Sequence, residues 1–114
     1  MVDKEYIPQR GDVVWIDFDP QTGHEQSGRR PALIISPKVY NQKVGLALIC
    51  PITSHIKGYA FEVIIESKLI NGAILSDQIK SFDWKVRSAE LAMHVNRETL
   101  REVMQKLLTL LTEG

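Results

Sequence analysis

The sequence predicts a mainly β fold, antiparallel strands packed against one carboxy-terminal α-helix. Three observations carry this. Short apolar runs rich in β-branched and aromatic residues are punctuated by Gly, Pro, Ser and Asn. The connections between them are too short for the crossover helices that parallel strands need. A sustained 3.6-residue apolar period occurs at the end of the chain, from Leu100 to Leu111.

Val13, Val14, Trp15, Ile16 and Phe18 form the first strand, which becomes half exposed where Asp17 and Asp19 flank Phe18. Pro20 offers no ladder donor and stops it. Thr22, Gly23, Ser27 and Gly28 supply turn chemistry for the connection that follows. Ala32 to Ile35 is an unbroken apolar run, read as a strand buried on both faces until Ser36-Pro37 closes it. Lys38 to Lys43 reads as a polar connection, and Val44 to Ile52 as the third strand, with Thr53-Ser54 at its end. Phe61, Val63 and Ile65 alternate with Glu62, Ile64 and Glu66 in an amphipathic strand. Lys68 to Gly72 turns the chain into Ala73 to Ser76, and Asp77 to Trp84 contains a short strand with a polar outer face. Val86 to Val95 fits a strand or a helical turn. Asn96 then caps a helix whose stripe is Leu100, Val103, Met104, Leu107, Leu108 and Leu111, opposite Arg97, Arg101, Glu102, Gln105 and Thr109. Residues 1–10 read as a tail, with Tyr6, Ile7 and Pro8 packing on the sheet edge.

At 114 residues, 44% hydrophobic and 25% charged, the chain fits one domain, 1–114, with a real core. The single Cys50 sits in an apolar run and has no partner for an internal disulfide, which fits a buried thiol in a reducing compartment. MVDKEYIPQRGD lacks the basic-then-apolar layout of a secretion signal, and no apolar run approaches the ~20 residues of a membrane span. The expectation is a cytoplasmic protein with no membrane partner. The formal net charge is zero, but residues 29–87 carry nine basic and four acidic side chains. That local excess suits a short single-stranded nucleic acid better than a long duplex.

The chemistry concentrates between the first two strands, where His24, Glu25, Gln26, Arg29 and Arg30 bring an acid, a base and an anion clamp into seven residues. Side chains where a loop enters a strand are better placed than those at a loop tip. Metal chemistry is disfavoured by spacing, since His24, His55 and His94 are isolated and no cysteine pair exists. Gly23 and Gly28 match neither phosphate-loop nor dinucleotide patterns. Taken singly, a loop histidine is more often a surface residue, a glutamate a salt-bridge partner and an arginine structural.

The blocks GDVVWIDFDPQTGHEQSGRRPALIISP, PITSHIKGYAFEV and LSDQIKSFDW, in that order, resemble the MazF/PemK family of bacterial toxin endoribonucleases. The likeness runs from about Gly11 to Trp84 and returns weakly in the terminal helix. It implies an SH3-like barrel of antiparallel strands with a C-terminal helix, the CcdB/MazF-type toxin fold. It also implies catalytic roles for Arg30, Thr53 and Glu25. His24, Gln26, Arg29, Lys57, Gln78 and Lys80 are expected to contact RNA, His24 and Arg29 as accessories. The implied reaction is metal-independent cleavage of single-stranded RNA by its own 2′-hydroxyl, leaving a 2′,3′-cyclic phosphate and a 5′-hydroxyl. In that reaction Glu25 is the base, Arg30 clamps the phosphate, and the acid is Arg30, His24 or water. No cofactor is implied. The implied partners are a cognate antitoxin (MazE/PemI-like) and a second copy of the chain. The rival reading is a CcdB-like toxin that poisons DNA gyrase by binding; fold alone does not separate the two.

Overall fold

A computed structural model describes residues 5–18 and 28–112. Its elements in chain order are β1 (Asp12–Asp17), β2 (Arg29–Ile34), α1 (Lys38–Val44), β3 (Ala47–Thr53), β4 (Glu62–Glu66), β5 (Asn71–Leu75), β6 (Lys80–Phe82), β7 (Glu90–His94) and α2 (Arg97–Leu111). The strands pair antiparallel in the order β4-β5-β3-β2-β1-β7, and β6 joins the first half of β3. The sheet curls into a half-barrel until β4 and β7 face each other across a gap lined by Ile65, Glu66, Met93 and Val95. Ser67 Oγ reaches Met93 Sδ near this seam, at 3.4 Å.

The unbroken apolar runs follow from burial on both faces of the sheet. Because strand side chains alternate, Val13, Leu33 and Cys50 enter one cluster while their neighbours Val14, Ile34 and Ile49 enter another. The first cluster is closed by Val103 and Leu107 of α2, the second by Phe82 and Trp84, with Tyr6, Ile7 and Phe18 packed on its margin. The amino-terminal residues therefore seal the second core, and Pro8 is fully buried there.

Three expectations are corrected, and one open reading, Val86 to Val95, is resolved. Lys38–Val44 is a helix, ended by Gly45 in the left-handed region at φ 81° with its N–H on Asn41 O. It carries no apolar stripe because its buried residue is the polar Asn41, whose amide donates to Pro8 O (2.8 Å) and Ser36 O (3.1 Å). Trp84 Nε1 donates to the Asn41 carbonyl at 3.0 Å. In β4 the expected alternation holds from Val63 to Glu66, with Ile64 exposed, but Glu62 is buried and accepts the Lys57 and Gly58 N–H groups. Val86 to Val95 divides into a turn and β7, with Ser88 at φ 55°. In α2 the Asn96 cap on Thr99 N is present, but Leu108 and Leu111 lie off the core, which the sheet reaches only as far as Leu107.

Candidate active site

The ladder between β2 and β3 runs from Ile34↔Ile49 to Ala32↔Pro51 and stops there. Pro31 explains this. The Ile35 N–H donates to Leu48 O, so residues 31, 33 and 35 turn their backbone groups toward β3, and at the next bonding position Pro31 has no N–H to donate. A cleft of about 390 Å³ opens at the parting, lined by Arg29, Arg30 and Pro31 on one side and Ile52, Thr53 and Ser54 on the other. Trp15, Leu69, Ile70 and Asn71 complete its wall. Arg30 and Thr53, from two separate blocks of sequence, thus border one open site.

Each is held by its own ladder. Arg30 is in register with Ile16 of β1, and Thr53 with Ala73 of β5. The Arg30 side chain is exposed at the strand entrance. Thr53 Oγ accepts the His55 N–H at 3.0 Å, so its own hydroxyl proton is directed elsewhere. Gly72 lies against the Thr53 backbone so closely that a Cβ on it would stand 2.1 Å from the Thr53 carbonyl oxygen. An isolated glycine in a strand pattern is the sequence signal for such an approach.

Arg29 is placed differently. It lies across the sheet from Asp17, to which it donates at 3.0 Å, and its other terminal nitrogen reaches Ser88 O at 2.8 Å and Glu90 Oε1 at 3.1 Å. Arg87 donates to the carbonyls of Asp17 (3.0 Å) and Phe18 (2.6 Å), with its guanidinium 4.1 Å above the Phe82 ring. Lys85 pairs with Glu5 at 2.7 Å. Three of the cations in the basic middle of the chain are therefore engaged by the protein itself. Lys57, Gln78 and Lys80 are exposed; Lys80 stands across from Ile49 on β6, and Lys57 and Gln78 lie on connections. Glu25, His24 and Gln26 lie outside the described residues. Of the residues that hold the site, sequence reasoning passes over Asp17, Glu90 and Gly72, and of these only Gly72 carries a local signal; Lys85 and Arg87, which the sequence places in a basic surface for phosphates and carboxylates, are engaged within the protein.

One alternative is weakened by the surroundings. Burial, with the charge of Asp77, pushes the Cys50 thiol up to about 12, so it is no nucleophile at neutral pH. Among the described residues no three His, Cys, Asp or Glu side chains gather as a metal cage requires. No helix is long and apolar enough to cross a membrane.

Residues 9–111 match the family described as the PemK-like, MazF-like toxin of type II toxin-antitoxin systems. The chain is 43% identical over 102 residues to the endoribonuclease toxin MazF of Escherichia coli strain K12, covering 90% of this chain and 92% of that one. It is 31% identical over 109 residues to the Escherichia coli endoribonuclease PemK, covering 91% and 82%. Among solved structures, MazF from Deinococcus radiodurans superposes with a TM-score of 0.84 at 47% identity, covering 94% of this chain and 98% of that one. A MazE-MazF structure from the same organism superposes with a TM-score of 0.85 at 40% identity, covering 96% and 100%. With curled sheet, terminal helix and nearly the whole length in common, the chain belongs to the PemK-like, MazF-like toxin family of type II toxin-antitoxin systems.

Proposed function

We propose that this protein is an endoribonuclease toxin that cleaves single-stranded messenger RNA at specific sequences without a metal ion, arresting translation and growth. The observation that carries the reading is the meeting of Arg30 and Thr53 at one cleft, opened by the end of the β2–β3 ladder. The names of the relatives, MazF and PemK endoribonucleases, support the same activity.

The attacking group is the 2′-hydroxyl next to the scissile phosphate. Glu25 takes its proton, the oxygen attacks phosphorus in line, and the 5′-oxygen leaves with a proton, giving a 2′,3′-cyclic phosphate and a free 5′-hydroxyl. Charge builds on the equatorial oxygens of the phosphorane. Arg30 meets it with a planar fork, and Thr53 adds a hydroxyl donor whose acceptor lone pair is already taken by the His55 N–H. Lys57, Gln78 and Lys80, together with His24 and Gln26, extend the contact along the strand. Deoxyribose lacks the attacking hydroxyl, so DNA survives.

Purified protein mixed with single-stranded RNA in EDTA is expected to cut at an undiminished rate and to leave cyclic-phosphate ends, readable by end-labelling and mass spectrometry. Loss of cutting on chelation, restored by a divalent ion, defeats the mechanism. An RNA hairpin of the same sequence should resist, because in-line attack requires the nucleotide to leave A-form geometry.

A homodimer and an antitoxin complete the reading. Exposed Ile64, Leu69, Leu108 and Leu111 provide apolar surface that pairing of two copies would cover. Light scattering at micromolar concentration is expected to give twice the 12.9 kDa chain mass; a monomer at all concentrations contradicts it. MazE-MazF structures of relatives support a cognate antitoxin as partner. A flexible acidic segment laid over the RNA surface suits such a partner, since carboxylates meet the same cations that phosphates do.

A further inference from the structure

The short stretch of β2 that carries Arg30 has a weakness built into it. From Arg29 to Pro31 it is hydrogen-bonded to β1 on one side only, because the ladder to β3 has ended and the cleft occupies the other side. A strand end held along one edge frays readily, yet an arginine that must meet a phosphorane has to stay within a fraction of an ångström.

Arg29 answers that need. One end of its fork bonds Asp17, its register partner on β1; the other bonds Glu90 on β7 and the carbonyl of Ser88 in the β6–β7 turn. The side chain therefore ties β2 to β7 across β1 at the point where the β2–β3 ladder is missing. Ser88 is the described non-glycine residue at positive φ, 55°, a conformation that persists only where surrounding contacts hold it. Its carbonyl accepts from Arg29, and the same turn supplies Arg87, which grips the Asp17 and Phe18 carbonyls. With two carboxylates on one guanidinium, the cluster is not cationic, so it offers a phosphate no net attraction.

We propose that Arg29 is a positioning residue for Arg30 and not an RNA contact: its bonds to Asp17, Ser88 and Glu90 replace the lost β3 ladder and fix the strand entrance from which Arg30 reaches the scissile phosphate. The proposal rests on the reading of Arg30 as the phosphate clamp.

The test is steady-state cleavage of a single-stranded RNA by the full-length protein at several salt concentrations. Arg29→Ala is expected to lower kcat by about 10- to 100-fold with KM within twofold. RNA affinity measured in an Arg30→Ala background should keep its salt dependence when Arg29 is also removed. Arg29→Lys, which keeps the charge and loses the fork, should resemble Arg29→Ala more than the native protein. The charge exchange Asp17→Arg with Arg29→Asp should recover part of the kcat that Arg29→Asp loses alone, since a bridge of reversed sense ties the same strands. A raised KM with unchanged kcat, and a salt slope shallower by about one, would make Arg29 a phosphate contact and overturn the proposal. Unaltered kinetics in folded Arg29→Ala overturn it as well. Failure of the underlying reading looks different: Arg30→Ala would then cleave like the native protein, whatever the Arg29 variants do.

Discussion

Arg30→Ala is expected to lower the rate of RNA cleavage by ~10²-fold or more and to abolish growth arrest, while leaving the circular dichroism spectrum and melting temperature nearly native. The side chain is exposed at a strand entrance, so it contributes little to either apolar cluster, and its backbone bonds to β1 do not depend on its identity. What it supplies is charge and geometry at the phosphorane. Arg30→Lys keeps the charge and forfeits the fork, and should recover only a small part of the loss. Turnover within a few-fold of native by a folded Arg30→Ala protein would remove Arg30 from the mechanism. Glu25→Gln tests the proposed base by the same comparison.

Gly72→Ala is expected to damage stability and activity together. The added methyl would sit 2.1 Å from Thr53 O and 3.0 Å from Thr53 C, both backbone atoms that no rotamer change can move. The register Thr53↔Ala73 must give way, shifting the end of β3 that carries the Thr53 hydroxyl. Forced overpacking of this kind costs on the order of 3 kcal/mol, which lowers the melting temperature by roughly 10 °C in a domain of this size. Gly45→Ala is the matched control. It also sits at positive φ, but open space surrounds it, so only the left-handed penalty of about 1 kcal/mol applies, and cleavage should be unaffected. If Gly72→Ala melted and cut like Gly45→Ala, the close approach would have no hold on the site.

Local chemistry made much of the fold legible. Unbroken Val, Ile and Leu runs announced strands buried on both faces, and the two clusters drawn from alternate residues of β1, β2 and β3 are the reason for those runs. Asn96 and the stripe from Leu100 to Leu107 announced α2, because capping and period are both read within one turn or two. The helix α1 was hidden for a corresponding reason: it is organised by one buried Asn41, satisfied by Pro8, Ser36 and Trp84, and hydrogen bonds to distant residues leave no periodic trace. Glu62 was assigned to solvent because a glutamate in an alternating strand is usually outward. The N–H groups of Lys57 and Gly58, which turn back onto it, make burial tolerable.

By itself the sequence determined the strands from β1 to β6, the terminal helix, the motif that marks the family, and the concentration of acid, base and cation before β2. The family motif singles out Arg30 before the proline, but residue type alone does not say what either of two adjacent arginines meets. Only the tertiary structure decided that Arg29, which also borders the cleft, is held by Asp17 and Glu90, and that Arg30 meets Thr53 across the cleft. Successive side chains on a strand point to opposite faces, and what each face meets depends on β1, β3 and β7, whose registers are set by packing across the whole sheet. The cleft has the same origin. Pro31 is an ordinary strand-end proline until the β2–β3 register sets it at a bonding position toward β3, and there the missing donor parts the sheet.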